Sequence, residues 1–167
     1  AISVLESDGR VRVSNLYSEH LGEHLGDDDS DGRICRTFAV VKYPDRVDSA
    51  FAAEHDEIVR GGSIGAVFAA HGWKVGKTNL RFFEVEATPR IAALMRVAAG
   101  TRLAAHAYAL DVTKTGRSIE YALLVEIHHP EYLTIAELET IYGEADAAGR
   151  ATSLDALLAT AAEKSAR

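Results

Sequence analysis

A lone cysteine, a deficit of positive charge and the lack of any long apolar run set the first limits on this chain of 167 residues. Cys35 by itself forbids an intrachain disulfide and any cysteine-rich zinc site. Eighteen basic residues against twenty-five acidic ones leave a net charge of −7, so the positive footprint that nucleic acid requires is missing. No apolar stretch approaches the roughly 20 residues that span a bilayer, and the start shows no charged-then-apolar signal pattern. With 47% hydrophobic and 26% charged residues the composition is that of an ordinary globular protein. The expectation is a reduced, cytoplasmic, acidic single domain without nucleic-acid or membrane partners.

The hydrophobic pattern suggests a short strand around Val11 and Val13, then a Gly- and Asp-rich acidic loop over 20–32. Residues 34–43 are apolar and β-prone up to Pro44. Val47, Ala50, Phe51 and Ile58 recur at helical intervals over 46–60, and after Gly61 and Gly62 a short helix opens at Ser63. Residues 73–86 read as one or two strands. Thr88-Pro89 is a helix start, with Ile91, Leu94, Met95 and Ala98 as its buried stripe and Gly100 as its end. Runs at 102–112 and 119–128 flank Gly116 as a β-hairpin. Thr134 with Glu137 forms a capping box, and an Ala-rich helix is expected over 153–162. This order predicts an α+β domain with an antiparallel sheet.

Three short motifs resemble chemistry. Gly61-Gly62-Ser63-Ile64-Gly65 fits the nucleophile elbow G-x-S-x-G, and Asp111 and His128 follow in the order a triad requires. The segment before it reads as helix rather than strand, so a glycine-permitted turn with Ser63 as N-cap explains it better. His20-Leu21-Gly22-Glu23-His24 fits the inverted zinc-protease pattern, but Gly22 and the aspartates behind it speak for a solvated loop. Asp27, Asp29, Asp31 and Gly32 match half a calcium loop whose twelfth position, Phe38, offers no carboxylate. No metal and no cofactor are expected.

The longer stretch GGSIGAVFAAHGWKV, then TPRIAALMRVAAGTRL, then AHAYALDVTKTGRSIEYALLVEIHHP carries more. Its spacing and residue classes over about seventy residues resemble the shared core of chorismate lyases and of the UTRA ligand-sensing domains of GntR-type regulators. The resemblance implies a chorismate lyase-like core over 33–145, preceded by a segment 1–32 and followed by a helix in 146–167. It also implies an antiparallel β-sheet covered by helices, enclosing a cavity for a small anionic ligand. The family's ligand-gripping arginine falls here on Tyr108, with His106 one step behind, and its second basic position falls near Glu126.

If Val112 pairs with Ser118, residues of equal parity share a face of the hairpin. The odd face, including Tyr121, is apolar, whereas the even face carries Arg102, His106, Tyr108, Glu120, Glu126 and His128. In that register Arg102 lies beside His128 and Leu110 beside Glu120. An even face turned to water would be ordinary for an antiparallel sheet; one covered by helices would hold paired charges or a ligand. Arg60 with the amides of Gly61, Gly62 and Ser63 is a second anion-binding candidate, and Lys42, Lys77 and Arg81 are further basic positions.

Two functions follow as expectations. The first is a stand-alone small-molecule enzyme, lyase-like, acting on an anionic carboxylate. Its acid–base groups would be His106, Tyr108, Glu120 and Glu126; Arg60, Gly61, Gly62, Ser63, Arg102 and His128 would bind substrate. The second is a non-catalytic UTRA-like sensor without its DNA-binding half, since no winged-helix pattern precedes residue 60. A second copy of the chain, forming a homodimer, is a candidate partner.

Overall fold

The computed structural model describes residues 2–18, 34–143 and 151–167, and only the backbone of Ser18 and of 151–155. The histidine motif at 20–24 and the aspartate motif at 27–32 lie outside the described residues.

Six strands, β1 (Ile2–Ser7), β2 (Val11–Ser18), β3 (Ile34–Lys42), β4 (Lys74–Glu86), β5 (Arg102–Lys114) and β6 (Arg117–His128), form one antiparallel sheet. Their spatial order is β1-β2-β3-β6-β5-β4. Five helices are described: α1 (Ala52–Val59), α2 (Ile64–Ala70), α3 (Pro89–Met95), α4 (Ile135–Tyr142) and α5 (Ala151–Ala166). The domain is α+β, as the element order predicts.

Local chemistry explains most boundaries. Thr88 caps α3 through its side chain with Pro89 behind it, and Thr134 and Glu137 close the capping box of α4. α3 stops at Met95, where Arg96 turns left-handed, short of the expected end at Gly100. The expected helix over 46–60 begins as a 3₁₀ turn at Ser49–Phe51 capped by Asp48 and becomes α-helical only at Ala52. β1 has no counterpart in the sequence reading. Its turn into β2 is made by Asp8, whose carboxylate accepts from the amides of Arg10 and Val11, and by Gly9 at positive φ.

The register of the β5–β6 hairpin corrects the expected one. Thr115 and Gly116 both lie at positive φ, forming a two-residue turn that pairs Thr113 with Ser118 and Val112 with Ile119. That shifts the ladder by one residue and flips parity. A bulge then inserts Tyr121 as the extra residue on β6, and Leu110 pairs with Ala122. The second shift restores the expected parity further along, where His106 faces Glu126. Hence His106, Tyr108, Glu126 and His128 share a face as expected, whereas Glu120 falls opposite Asp111, and Tyr121 joins the face from which it was excluded. Arg102 does not pair with His128, nor Leu110 with Glu120.

Both faces of the sheet are covered. On one, Phe38, Leu103, Ala105, Leu123, Val125 and Ile127 pack under Ile91 and Met95 of α3 and Leu157 of α5. On the other, Tyr108, Leu110, Tyr121 and Leu124 pack under Ile58 of α1 and Val67 and Phe68 of α2. The small residues Ala105, Ala107 and Ala109 on β5 let the α3/α5 layer approach closely.

Candidate functional site

The face under α1 and α2 carries ionisable residues in rows set by the ladders. Ser14 pairs with Ala39, Ala39 with Glu126 and Glu126 with His106, which runs one row across β2, β3, β6 and β5. The neighbouring row runs from Arg12 through Val41 and Leu124 to Tyr108. Side chains in such rows point the same way, so these groups converge above the sheet.

Between the sheet and the start of α2 lies a cavity of about 250 Å³, whose wall includes Arg12, Ser14, Ser63, Lys77, Tyr108 and Glu126. Arg12 is 2% exposed, and its Nη1 donates to the carbonyls of Ile58 (3.1 Å) and Gly62 (3.0 Å). No carboxylate among the described residues forms an ion pair with it, and its Nε is buried without a hydrogen-bond partner. The Ser14 hydroxyl is likewise buried and unpartnered. A buried charge and a buried hydroxyl left unmatched cost folding free energy unless something fills their valences. Gly62 has no room for a side chain: a Cβ there would meet Val67 Cγ2 at 2.8 Å and the Glu57 carbonyl at 2.9 Å. That tight α1–α2 turn delivers the Gly62 carbonyl to Arg12.

At the other end of the cavity stands a connected cluster. Lys77 Nζ lies 3.0 Å from His106 Nε2, 3.4 Å from Glu126 Oε2 and 3.2 Å from the Tyr142 hydroxyl, over the faces of the Tyr108 and Tyr142 rings. His106 Nε2 is also 3.1 Å from Glu126 Oε2, and its Nδ1 is 2.9 Å from His128 Nε2. His128 Nδ1 in turn meets the Thr37 hydroxyl at 3.0 Å. A neutral ring nitrogen either donates or accepts, so His106 Nε2 serves Glu126 in one tautomer and Lys77 in the other. The choice orders every proton out to Thr37.

Electrostatics follow from this packing. Burial pushes His128 down to about 4; Glu126 opposes that shift, while His106, Lys77 and Arg36 add to it. Burial alone would raise Glu126, but the hydrogen bond with His106 and the Lys77 charge outweigh it and hold the carboxyl well below the usual range. Burial, then the Glu126 carboxylate, lifts the Tyr108 phenol well above its ordinary value. His106, Glu126 and His128 each place one potential metal-ligating atom within 4.8 Å of the others. The Lys77 ammonium already supplies the positive charge at that point.

Of the residues singled out from sequence, the structure joins His106, Tyr108, Glu126 and His128. Tyr108 and Glu126 border the cavity, whereas the two rings, at 0% and 2% exposure, lie behind its wall with both nitrogens engaged. Ser63 is exposed at the cavity rim, and its side chain makes no cap bond to the seven-residue α2. Gly61 and Gly62 form the turn, and Gly62 acts through its carbonyl rather than its amide. Arg60 is exposed at the end of α1. Arg102 is exposed and pairs with Glu84, while Glu120 is exposed beside Asp111 and Thr78. These three lie outside the site. The nucleophile-elbow reading fails on context, since α1 rather than a strand precedes Ser63. Arg12, Ser14, Thr37 and Tyr142 were not anticipated, and Lys77 was only one basic position among several. The alternation of Arg12 and Ser14 with Val11 and Val13 was the available signal for the first two.

Among the described residues no helix is long and apolar enough to cross a membrane. No model of a known protein family matches the sequence, and no curated protein matches it. Solved structures similar to this chain include a GntR-family transcriptional regulator from Enterococcus faecalis V583, 12% identical with a TM-score of 0.48, over 80% of this chain and 91% of that one. A GntR-family transcriptional regulator from Bacillus cereus is 14% identical with a TM-score of 0.46, over 80% and 94%. The C-terminal domain of Yurk from Bacillus subtilis subsp. subtilis str. 168 is 15% identical with a TM-score of 0.42, over 80% and 89%.

Proposed function

We propose that this domain is a non-catalytic binding module for a small organic anion, held in the cavity between the sheet and α2. The observation that carries the reading is Arg12: a buried guanidinium with no carboxylate partner among the described residues, its Nε unsatisfied, on a cavity wall beside the unsatisfied Ser14 hydroxyl. A carboxylate or phosphate is the natural complement of a buried guanidinium that has no carboxylate partner. The charged groups of the wall, Arg12, Lys77 and Glu126, sum to one positive charge, which favours an anion further. At about 250 Å³ the cavity sits just below the roughly 300–1,000 Å³ of drug-sized sites, so the ligand is small.

Binding is favoured over turnover because the bases are badly placed for chemistry. His106 and His128 have no nitrogen facing the cavity, and Glu126, with its pKa held low, is a weak base. Thermal-shift and calorimetric titrations with hexanoate, adipate and glucose 6-phosphate test the reading. At least one of these raises the melting temperature of the wild type, and Arg12→Gln loses that response while remaining folded by circular dichroism. Mass spectrometry of the incubations shows the added compound unchanged. A response that survives Arg12→Gln places the anion elsewhere, and a product peak restores the enzyme reading.

A further inference from the structure

Resting on the anion-binding reading, we infer that α4 answers to the cavity: Lys77 serves either Tyr142 or a bound anion, so an anion frees the C-terminal end of that helix. A helix of eight residues does not hold together in water by itself, so α4 depends on its anchors. At its start the Thr134–Glu137 capping box supplies them locally. Further along, Leu138 is its one buried residue, and Ile141 is 57% exposed. Tyr142, the last residue of the helix, is left to hold the C-terminal end. It is itself 37% exposed and reaches the sheet through Lys77 and His106. Lys77 Nζ donates to its hydroxyl at 3.2 Å and lies 4.3 Å from its ring centroid, and that ring stacks on His106 at 5.4 Å.

Lys77 is where helix and cavity meet, because it lies on β4 and borders the same cavity as Arg12. An ammonium has three N–H donors, and three acceptors surround this one: His106 Nε2 at 3.0 Å, the Tyr142 hydroxyl at 3.2 Å and Glu126 Oε2 at 3.4 Å. With every donor in use, an anion gains a bond from Lys77 only if one of the three gives up its own. Glu126 is charged and little exposed, so it loses most by separation. The accepting tautomer of buried His106 has no other donor at Nε2. The opposite tautomer would aim an N–H at the ammonium 3.0 Å away, which itself drives Lys77 off the cluster. The Tyr142 phenol is neutral and exposed, so water replaces Lys77 there at the least cost.

The two rings give the movement its direction. Lys77 Nζ sits 4.1 Å from the Tyr108 centroid and 4.3 Å from that of Tyr142, and both contacts last only while the ammonium stays between them. Tyr108 borders the cavity and Tyr142 does not. An ammonium drawn towards an anion therefore keeps the first ring and gives up the second. A ligand shifts a two-state element only by what it binds better in one state, and here that difference is the bond from Lys77. Linkage makes the effect reciprocal: weakening the hold of Tyr142 on Lys77 must tighten the anion.

Hydrogen exchange read by mass spectrometry on the full chain, with and without saturating hexanoate, adipate or glucose 6-phosphate, tests the coupling. A probe whose binding is lost in Arg12→Gln speeds exchange in peptides covering residues 138–143 about fivefold. Tyr142→Phe keeps the ring but removes the hydroxyl, so Lys77 has an N–H to spare. That variant binds the same probe about fivefold tighter by calorimetry. Lys77→Ala exchanges residues 138–143 fast without any probe. Exchange of 138–143 that is unchanged or slowed by a bound probe overturns the inference and leaves the anion-binding module standing. So does an unchanged affinity in Tyr142→Phe, or wild-type exchange of that segment in Lys77→Ala. If none of the probes binds the wild type, the anion-binding reading falls and this inference falls with it.

Discussion

Two cavities of about 250 Å³ each lie on opposite faces of the one sheet, and the difference between them is chemical rather than geometric. The cavity under α5 is walled by Phe83, Val85, Ile91, Val125, Ile127 and Leu158. The polar side chains at its edge are satisfied or solvated. Thr88 accepts from the Ile91 amide and donates to the Ser165 carbonyl, Ser165 donates to the Ala162 carbonyl, and Glu86 is exposed. The cavity under α2, in contrast, is bordered by a guanidinium and a hydroxyl whose bonds are incomplete. An apolar void costs packing energy and asks for nothing specific, whereas a buried guanidinium without a carboxylate partner favours negative charge nearby. Equal volumes thus carry unequal functional meaning.

Filling each cavity with the same side chain is the most direct way to break that comparison. Ala39 and Ala161 are both 4% exposed, one on each wall. Ala39→Leu occupies the floor between Arg12 and Glu126 and abolishes the calorimetric response to bound acid. Ala161→Leu fills apolar space, leaves that response intact and raises stability by about 1 kcal/mol, read from urea midpoints. Acid binding lost in Ala161→Leu and retained in Ala39→Leu would reverse the assignment of the two cavities.

The faces also differ in how they answer to pH. The layer under α3 and α5 is held mainly by apolar contacts, while the opposite layer holds His128 with its pKa depressed to about 4. Unfolded, that imidazole takes up a proton below about 6.5; folded, it resists protonation until about 4. The unfolded state therefore binds more protons between these values. His128 contributes stability that is fully present above pH 6.5 and is lost as pH falls towards 4, a change on the order of 3 kcal/mol. Burial depresses His129 as well, on the α3 side where its Nε2 meets the Met95 carbonyl, so that layer adds a shift of the same sign. Urea titrations at pH 7 and pH 4.5 should show the fall, and His128→Gln should reduce the difference between the two conditions. An equal pH dependence in that variant would remove His128 from the account.

The fold was legible where local chemistry decides it, and the site only where parity survived. Thr88-Pro89, the Thr134–Glu137 box and the turn at Gly116 are short-range signals, and each marks a real boundary. His106, Tyr108, Glu126 and His128 were found together because two one-residue shifts, one at the turn and one at the Tyr121 bulge, add to two residues and so restore parity beyond the bulge. Glu120 lies between the two shifts, so the same reasoning placed it on the wrong face. Arg12 and Ser14 escaped because β2 reaches the site through β3, which follows it across the undescribed residues 19–33, and no local pattern shows which residues such a pairing brings together. Lys77 comes from β4, on the far edge of the sheet, and enters the site only through tertiary packing.

The smallest expected effect sharpens the boundary between a charge that belongs to the site and one that only shares its parity. Arg102 and Arg12 both sit on strands of this sheet, yet Arg102 is exposed and its partner Glu84 is exposed too, at 3.3 Å. Exposed ion pairs contribute little because water screens them and two long side chains must be ordered. Arg102→Ala should therefore change stability by less than about 0.5 kcal/mol. It should also leave the affinity for a bound acid at its wild-type value in the titration that Arg12→Gln abolishes. A loss of acid binding in Arg102→Ala would extend the site along β5 to the start of that strand, where Arg102 and Glu84 form a solvated pair.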